Sequence, residues 1–247
     1  MSTGKRIAFI GDSYSDYYYE KGSGESHWSF LLSKQYPQHT FYTYGKSGMG
    51  IDYFRLCIHD CIENNIDAIF LAPSYNGRRL VLVDNIEPNA KNNFEFIEEK
   101  ISSNYSFRGL DIMNTVWASG GSGRFAHRIY KNLADNFAKF SANSDISVQQ
   151  ENKWYNTVDK IYNLEKVWVI DTKSTGPFIR KHSDLNAVET FYKIYNIDRN
   201  DKDVIKKLVS RGLIVSNEDD HYAPNGHKTI LKYYILNDDV KNYLTQS

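Results

Sequence analysis

Short apolar runs alternate with amphipathic segments over the first third of the chain. Continuous apolar residues at 7–10 and 68–72 predict buried strands, and the β-branched and aromatic run 40–44 predicts another. Between them, apolar residues at helical spacing predict helices over about 25–35 and 51–62. This order of strands and helices, with short connections, predicts an α/β fold whose parallel sheet is covered by helices on both faces.

The rest of the chain has a less regular pattern. It predicts a fourth strand at 167–170, a short fifth strand at 213–215, and a last helix that begins near Asn225 or Gly226. Further helical segments are predicted at about 90–103, 124–163, 184–196 and 201–211. With 247 residues and 41% hydrophobic content, the chain can bury the core of one α/β domain. We therefore expect a single domain over 1–247, with an elaboration at about 78–125.

The first predicted strand ends in Gly11-Asp12-Ser13-Tyr14-Ser15-Asp16, and this turn is the first candidate for chemistry. A glycine at the carboxyl end of a strand allows a sharp turn, in which a serine can stand exposed at the edge of the sheet. If a helix begins there, its free N–H groups would help to stabilise an oxyanion. Ser13 is therefore a candidate nucleophile if a base lies nearby. The alternative is that Asp12 and Ser13 only cap a helix.

The second candidate is a polar loop just before the last predicted helix, Asp219-Asp220-His221-Tyr222-Ala223-Pro224-Asn225-Gly226-His227. Loops at the carboxyl ends of parallel strands meet at one edge of the sheet, so His221 could approach Ser13. An imidazole base needs an acceptor on its other nitrogen, and Glu218, Asp219 or Asp220 could supply it. The alternative is that acidic residues next to Pro-Asn-Gly are ordinary turn residues.

Composition and charge narrow the classes of function. The 30 basic and 30 acidic residues balance, and no stripe of Lys and Arg supports a nucleic-acid or acidic-membrane partner. We see no signal peptide and no apolar run of membrane-spanning length, so we expect a cytoplasmic protein, with leaderless secretion or virion association left open. Cys57 and Cys61 flank His59, but no further cysteine completes a zinc site. We therefore expect two buried thiols and no metal.

The Gly-Asp-Ser turn and the acidic-x-His loop together resemble the SGNH hydrolase family, also called GDSL-type esterases. Gly45-Lys46-Ser47-Gly48 looks like the family's second block, in which Gly48 would supply an N–H to the oxyanion hole. The family's third block is a Gly-x-Asn-Asp signature. Here the stretch Pro73-Ser74-Tyr75-Asn76-Gly77 matches at Asn76, whose amide would also donate, but Ser74 and Gly77 replace the flanking residues. These four short blocks occur in the family's order across the whole chain.

The resemblance implies a flavodoxin-like fold of the SGNH-hydrolase type, a three-layer α/β/α sandwich with a central parallel sheet. It implies a serine hydrolase that cleaves an ester, such as an O-acetyl or other short acyl group, on a carbohydrate or small molecule. Ser13 would be the nucleophile and would also donate its N–H to the oxyanion, while His221 would be the base. Many members carry an aspartate three residues before the histidine, where this chain has Glu218. Others carry it two residues before, which favours Asp219. No cofactor is implied.

Alternative functions follow from the same residues. An acyltransferase would use the same acyl-enzyme, and a binding protein could retain the scaffold without catalysis, because a fold does not fix a function. A flavodoxin-like or nucleotide-binding domain would share the alternation of strands and helices but would leave the loop at Asp219 and His221 unexplained. The sequence does not predict an oligomeric state.

Overall fold

The computed structural model describes residues 4–18, 24–47, 49–72, 79–82, 96–110, 115–118, 153–164, 166–170, 187–217, 219 and 221–246. Its strands are β1 (Arg6–Ile10), β2 (Thr40–Thr43), β3 (Ala68–Leu71), β4 (Arg79–Leu82), β5 (Phe96–Ser102), β6 (Tyr105–Leu110), β7 (Thr115–Ala118) and β8 (Lys166–Val169). Its helices are α1 (Trp28–Gln35), α2 (Ile51–Glu63), α3 (Val158–Ile161), α4 (Ala187–Tyr195), α5 (Val204–Ser210), α6 (Pro224–Ile230) and α7 (Asp238–Thr245). A 3₁₀ turn at Gly24–Ser26 precedes α1, and a π-helical turn at Leu231–Ile235 continues α6.

The main sheet contains six of the described strands in the order β5-β6-β2-β1-β3-β8, while β4 and β7 pair with each other. β1 pairs in parallel with β2 on one side and β3 on the other, and the parallel pairing continues to β6 and β8. The carboxyl ends of these five strands therefore face one edge of the sheet. β5 runs antiparallel to β6 because only two residues, 103 and 104, connect them. The predicted α/β fold is confirmed as a mixed fold whose sheet is mostly parallel, with β5 as an antiparallel strand at its edge.

Two hydrophobic cores lie on opposite faces of the sheet, because successive side chains of a strand point to opposite faces. From β1, Ile7 and Phe9 belong to the core that includes residues of α1, α4 and α6. Ala8 and Ile10 belong to the core that includes most of the apolar face of α2. All four side chains are fully buried. β1 is thus packed on both faces, which fixes the position at which the following turn begins.

Most of the predicted elements that lie in the described residues are confirmed. These are the four strands that became β1, β2, β3 and β8, and the helices that became α1, α2, α4, α5 and α6. Of the long helical segment predicted at 124–163, the described residues contain α3 near its end, and residues 124–152 lie outside them.

Two predictions of secondary structure are wrong. Residues 90–103 were expected to be helical, but 96–102 form β5, which pairs with β6. Residues 213–215 were expected to form a fifth strand, but they contribute only an isolated antiparallel bridge between Ile214 and Tyr222. Within the segment 78–125, the hairpin of β5 and β6 belongs to the main sheet, and the expectation that this segment is an elaboration of a single domain stays a prediction.

Cys57 and Cys61 are both fully buried on α2, as expected for small apolar side chains. Their burial raises the pKa of both thiols. Among the helices that the structure describes, none combines the length and apolar character needed to cross a membrane.

Candidate active site

The turn after β1 carries Ser13 at the edge of the sheet. A Cβ atom on Gly11 would lie 2.4 Å from Ser15 Oγ and 2.9 Å from the Ala72 side chain, so this position requires glycine. The Asp12 carboxylate accepts a hydrogen bond from the Tyr14 N–H at 3.1 Å, and the Asp12 carbonyl accepts one from the Ser15 N–H at 2.9 Å. These bonds close a tight turn whose exposed side leaves Ser13 only partly buried.

No helix begins at this turn in the described part of the chain. Residues 11–18 form turns and bends, and the next described residues, Gly24–Ser26, form a 3₁₀ turn. The interpretation of Asp12 and Ser13 as a helix cap is therefore wrong. The expectation that a helix amino terminus lies beside the serine is wrong for the same reason.

His221 lies on a loop that is fixed by backbone hydrogen bonds. The Val215 N–H donates to the His221 carbonyl at 2.9 Å, and the Ala223 N–H donates to the Leu213 carbonyl at 3.1 Å. The loop then enters α6 at Pro224, a residue suited to the first turn of a helix. The imidazole is therefore presented from a short antiparallel bridge and not from the end of a strand of the main sheet.

Ser13, His221 and Asp219 form a continuous row of hydrogen bonds. Ser13 Oγ lies 2.6 Å from His221 Nε2, and Asp219 Oδ1 lies 2.6 Å from His221 Nδ1. An ionised carboxylate can only accept, so we assign the imidazole proton to Nδ1, which leaves Nε2 to accept the Ser13 hydroxyl proton. The side chains of His221 and Asp219 are 19% and 13% exposed, so solvent competes little with the bond between them.

Asp219 also fixes the loop on which the base lies. Its Oδ1 atom accepts from the His221 backbone N–H at 3.2 Å as well as from the imidazole, and its own N–H donates to Ser216 Oγ at 3.1 Å. Among the three acidic residues considered from the sequence, Asp219 is the one that the structure places on His221. Glu218 and Asp220 lie outside the described residues.

The candidate oxyanion donors are described only in part. Among the described residues, nothing accepts a hydrogen bond from the Ser13 backbone N–H, so this donor is available to a ligand oxygen. The two other predicted donors, Gly48 and Asn76, lie outside the described residues.

Asp16 connects the nucleophile turn to the loop after β2, a role that the sequence did not reveal. Its Oδ2 atom accepts from the Ser47 N–H at 2.9 Å and from Ser47 Oγ at 2.8 Å, while Oδ1 accepts from the Tyr18 N–H at 3.0 Å. The backbones of the two loops also touch, because a Cβ on Gly45 would lie 1.8 Å from the Ser15 carbonyl oxygen. Ser47 is 31 residues away from Asp16, and no local pattern indicates that contact.

A buried histidine also forms a hydrogen bond to the turn that carries Ser13. His27 caps α1 by accepting from the Ser29 N–H, and its Nε2 atom donates to the Tyr14 carbonyl at 3.2 Å. Trp28 Nε1 donates to the same carbonyl at 3.2 Å. Burial lowers the pKa of His27 to about 4, so this imidazole is neutral near pH 7. The two side chains that hydrogen-bond to the Tyr14 carbonyl, His27 and Trp28, therefore carry no charge near pH 7.

Comparisons with known proteins add little to this geometry. No protein-family model matches the chain, and no curated protein sequence matches it at a significant level. A search of solved structures finds the crystal structure of an acetyl xylan esterase, AlAXEase, at 12% sequence identity and a TM-score of 0.45. The match covers 92% of this chain and 96% of that one.

Proposed function

We propose that this protein is a serine hydrolase of the SGNH type, which cleaves a short acyl group, such as acetyl, from an ester of a carbohydrate or small molecule. The observation that carries the proposal is the row of hydrogen bonds from Ser13 Oγ through His221 to Asp219, at 2.6 Å for each bond. A serine hydroxyl is a weak nucleophile unless a base accepts its proton, and this geometry provides that base.

The proposed reaction has two steps on the same three side chains. Ser13 Oγ attacks the ester carbonyl carbon while its proton passes to His221 Nε2, and the imidazolium then protonates the leaving alcohol. In the second step water attacks the carbonyl carbon of the acyl-enzyme and His221 takes a proton from the water. The bond from that carbon to Ser13 Oγ then breaks, His221 returns the proton to Oγ, and the carboxylic acid is released. Asp219 holds the Nδ1 proton throughout and stabilises the imidazolium in both steps.

The fold and the order of the residues support the assignment to the SGNH type. Ser13 follows a strand inside a mostly parallel sheet that has a core on each face, and His221 precedes the helical segment near the carboxyl terminus. Gly48 and Asn76 would complete the oxyanion hole together with the Ser13 N–H. Removing one such donor costs about 3 to 4 kcal/mol of transition-state stabilisation in enzymes of this kind.

Hydrolysis of p-nitrophenyl acetate, together with labelling by a fluorophosphonate, tests the proposal. We expect the wild type to release nitrophenol and to label, and Ser13→Ala to do neither. Ser210→Ala, which removes an exposed hydroxyl from α5, should behave like the wild type. If Ser13→Ala and the wild type behave alike in both assays, the serine-hydrolase proposal is wrong, and a binding protein on the same scaffold is favoured.

The same preparation separates hydrolysis from acyl transfer. Both outcomes pass through the acyl group on Ser13, and they differ in whether water or a sugar hydroxyl accepts it. We expect acetate to remain the main product when methyl glycosides are added at increasing concentration. Acetylated glycoside replacing acetate would instead identify an acyltransferase.

A further inference from the structure

Tyr14, the residue after the candidate nucleophile, packs its ring face against the imidazole of His221. The two ring centroids are 4.6 Å apart and the ring planes differ by 23°. Tyr14 is 3% exposed, so this is a buried stack and not a chance surface contact. The sequence placed Tyr14 inside the nucleophile motif without giving its side chain a role.

Hydrogen bonds hold the backbone of Tyr14, and a second aromatic residue packs against its ring. The Tyr14 N–H donates to Asp12 Oδ1, and its carbonyl accepts from both Trp28 Nε1 and His27 Nε2. Tyr222 packs edge-on against the ring, with centroids 5.0 Å apart and planes at 64°. A ring fixed in this way can constrain the group that is stacked on it.

The hydrogen bonds that Asp219 and Ser13 make to the imidazole of His221 leave one motion of the ring that packing can restrain. Each of these two bonds holds one ring nitrogen, and the pair does not by itself stop the ring from tilting about the line that joins the two nitrogens. The face of Tyr14 lies nearly parallel to the imidazole plane and occupies the space into which the ring would tilt. An aromatic face also attracts a cation, so the stack favours the imidazolium that forms when Ser13 transfers its proton.

We propose that Tyr14 is a positioning residue for His221, and that its ring both orients the imidazole toward Ser13 and stabilises the imidazolium. This inference rests on the proposed function for its kinetic consequences, but the stack itself can be tested without any substrate. The proton transferred is the one already described, from Ser13 Oγ to His221 Nε2, and Tyr14 takes no part in bond making or breaking.

Removing the aromatic face while keeping an apolar side chain tests the proposal. We expect Tyr14→Leu to lower kcat on p-nitrophenyl acetate by about tenfold or more with KM nearly unchanged, because the lost contact acts on proton transfer. Tyr14→Phe keeps the ring and should restore kcat to within about threefold of the wild type. Tyr14→Met, which fills a similar volume without a ring, replaces the leucine variant if that variant does not fold.

Phe41→Leu is the matched control, because Phe41 is an equally buried aromatic residue on β2. It should lower Tm without lowering kcat. A second readout is the downfield proton resonance of the Nδ1–H that His221 donates to Asp219. We expect this resonance to be sharp in the wild type, Tyr14→Phe and Phe41→Leu, and broadened in Tyr14→Leu.

The outcomes separate this inference from the proposed function. If the wild type has no activity that depends on Ser13, the proposed function fails, and the proton resonance still decides whether Tyr14 orients the imidazole. If Tyr14→Leu keeps both wild-type kcat and a sharp resonance, the inference about Tyr14 is wrong. It is equally wrong if Phe41→Leu loses as much kcat as Tyr14→Leu, since a general loss of stability would then explain both.

Discussion

Acid should weaken this fold through one buried histidine. His27 is 1% exposed, and its imidazole accepts from the Ser29 N–H and donates to the Tyr14 carbonyl. The facing groups are the His227 ring, with its centroid 4.7 Å away, and Ser29 Oγ, which also bonds to the Tyr105 hydroxyl. A protonated His27 would lose its role as acceptor and would place a charge in the core. We therefore expect the folded protein to resist this protonation.

The size of the effect follows from the pKa of His27, which burial lowers from 6.5 to about 4. Below pH 6.5 the unfolded chain binds a proton that the folded chain does not bind until about pH 4. Stability therefore rises with pH across this window, and it is progressively lost as the pH falls through it. Between pH 7.5 and pH 4.5 the loss attributable to His27 is about 2 to 3 kcal/mol.

Urea unfolding of the wild type and His27→Asn at both pH values measures this loss. Asparagine keeps an oxygen that can cap α1 but does not titrate. The variant will be less stable at each pH because it is smaller, so the quantity that matters is the difference between the two pH-dependent losses. Carboxylates elsewhere titrate in both proteins and cancel in that difference. If His27→Asn loses as much stability as the wild type on going to pH 4.5, the reasoning about His27 is refuted.

Three further predictions concern the hydrogen bonds of Asp219 and Asp16 and the ion pair between Arg108 and Asp60. Asp219→Asn should lower kcat by about 10³- to 10⁴-fold while leaving the fold intact, because the amide no longer fixes the imidazole tautomer. Turnover of p-nitrophenyl acetate near the wild-type rate would contradict the role of Asp219. Asp16→Ala removes the carboxylate that accepts hydrogen bonds from Ser47. It should lower kcat by about ten- to a hundredfold with a smaller change in KM. Steady-state kinetics that show an effect on KM alone would contradict this prediction. Arg108→Leu leaves Asp60 buried without its ion-pair partner and should lower the free energy of unfolding by about 3 to 5 kcal/mol; an unchanged urea midpoint would contradict it.

The centre of the sheet was predictable because its strands are buried on both faces. A strand of this kind must be apolar throughout, and the runs that became β1 and β3 are therefore visible without any alignment. The hairpin of β5 and β6 was missed for the opposite reason. β5 lies at the edge of the sheet and exposes residues 97–100, including two glutamates and a lysine, which favour a helix by intrinsic propensity. Its pairing with β6 is a tertiary effect that outweighs this propensity.

Contacts that join distant parts of the chain were the least predictable part of the candidate site. Ser13 and His221 are recognisable as residue types in suitable turns, yet they are 208 positions apart. The bond between Asp16 and Ser47 has no signature, since aspartate and serine are common in any loop. The same holds for the stack of Tyr14 on His221, because a tyrosine beside the nucleophile could equally have pointed to solvent.

The position of His221 also shows why the topological rule alone was insufficient. The rule that ligand sites lie beyond the carboxyl ends of parallel strands gives the correct edge of the sheet. However, the loop that carries His221 follows α5 and lies between the two residues of an isolated bridge, Ile214 and Tyr222, so it does not follow a strand of the main sheet. Packing of Tyr222 holds the loop there, since this residue is 1% exposed and contacts both Tyr14 and Phe191 edge-on. The imidazole is therefore placed by an aromatic cluster that spans the nucleophile turn and α4, so the geometry of the candidate site depends on core packing as much as on the sheet.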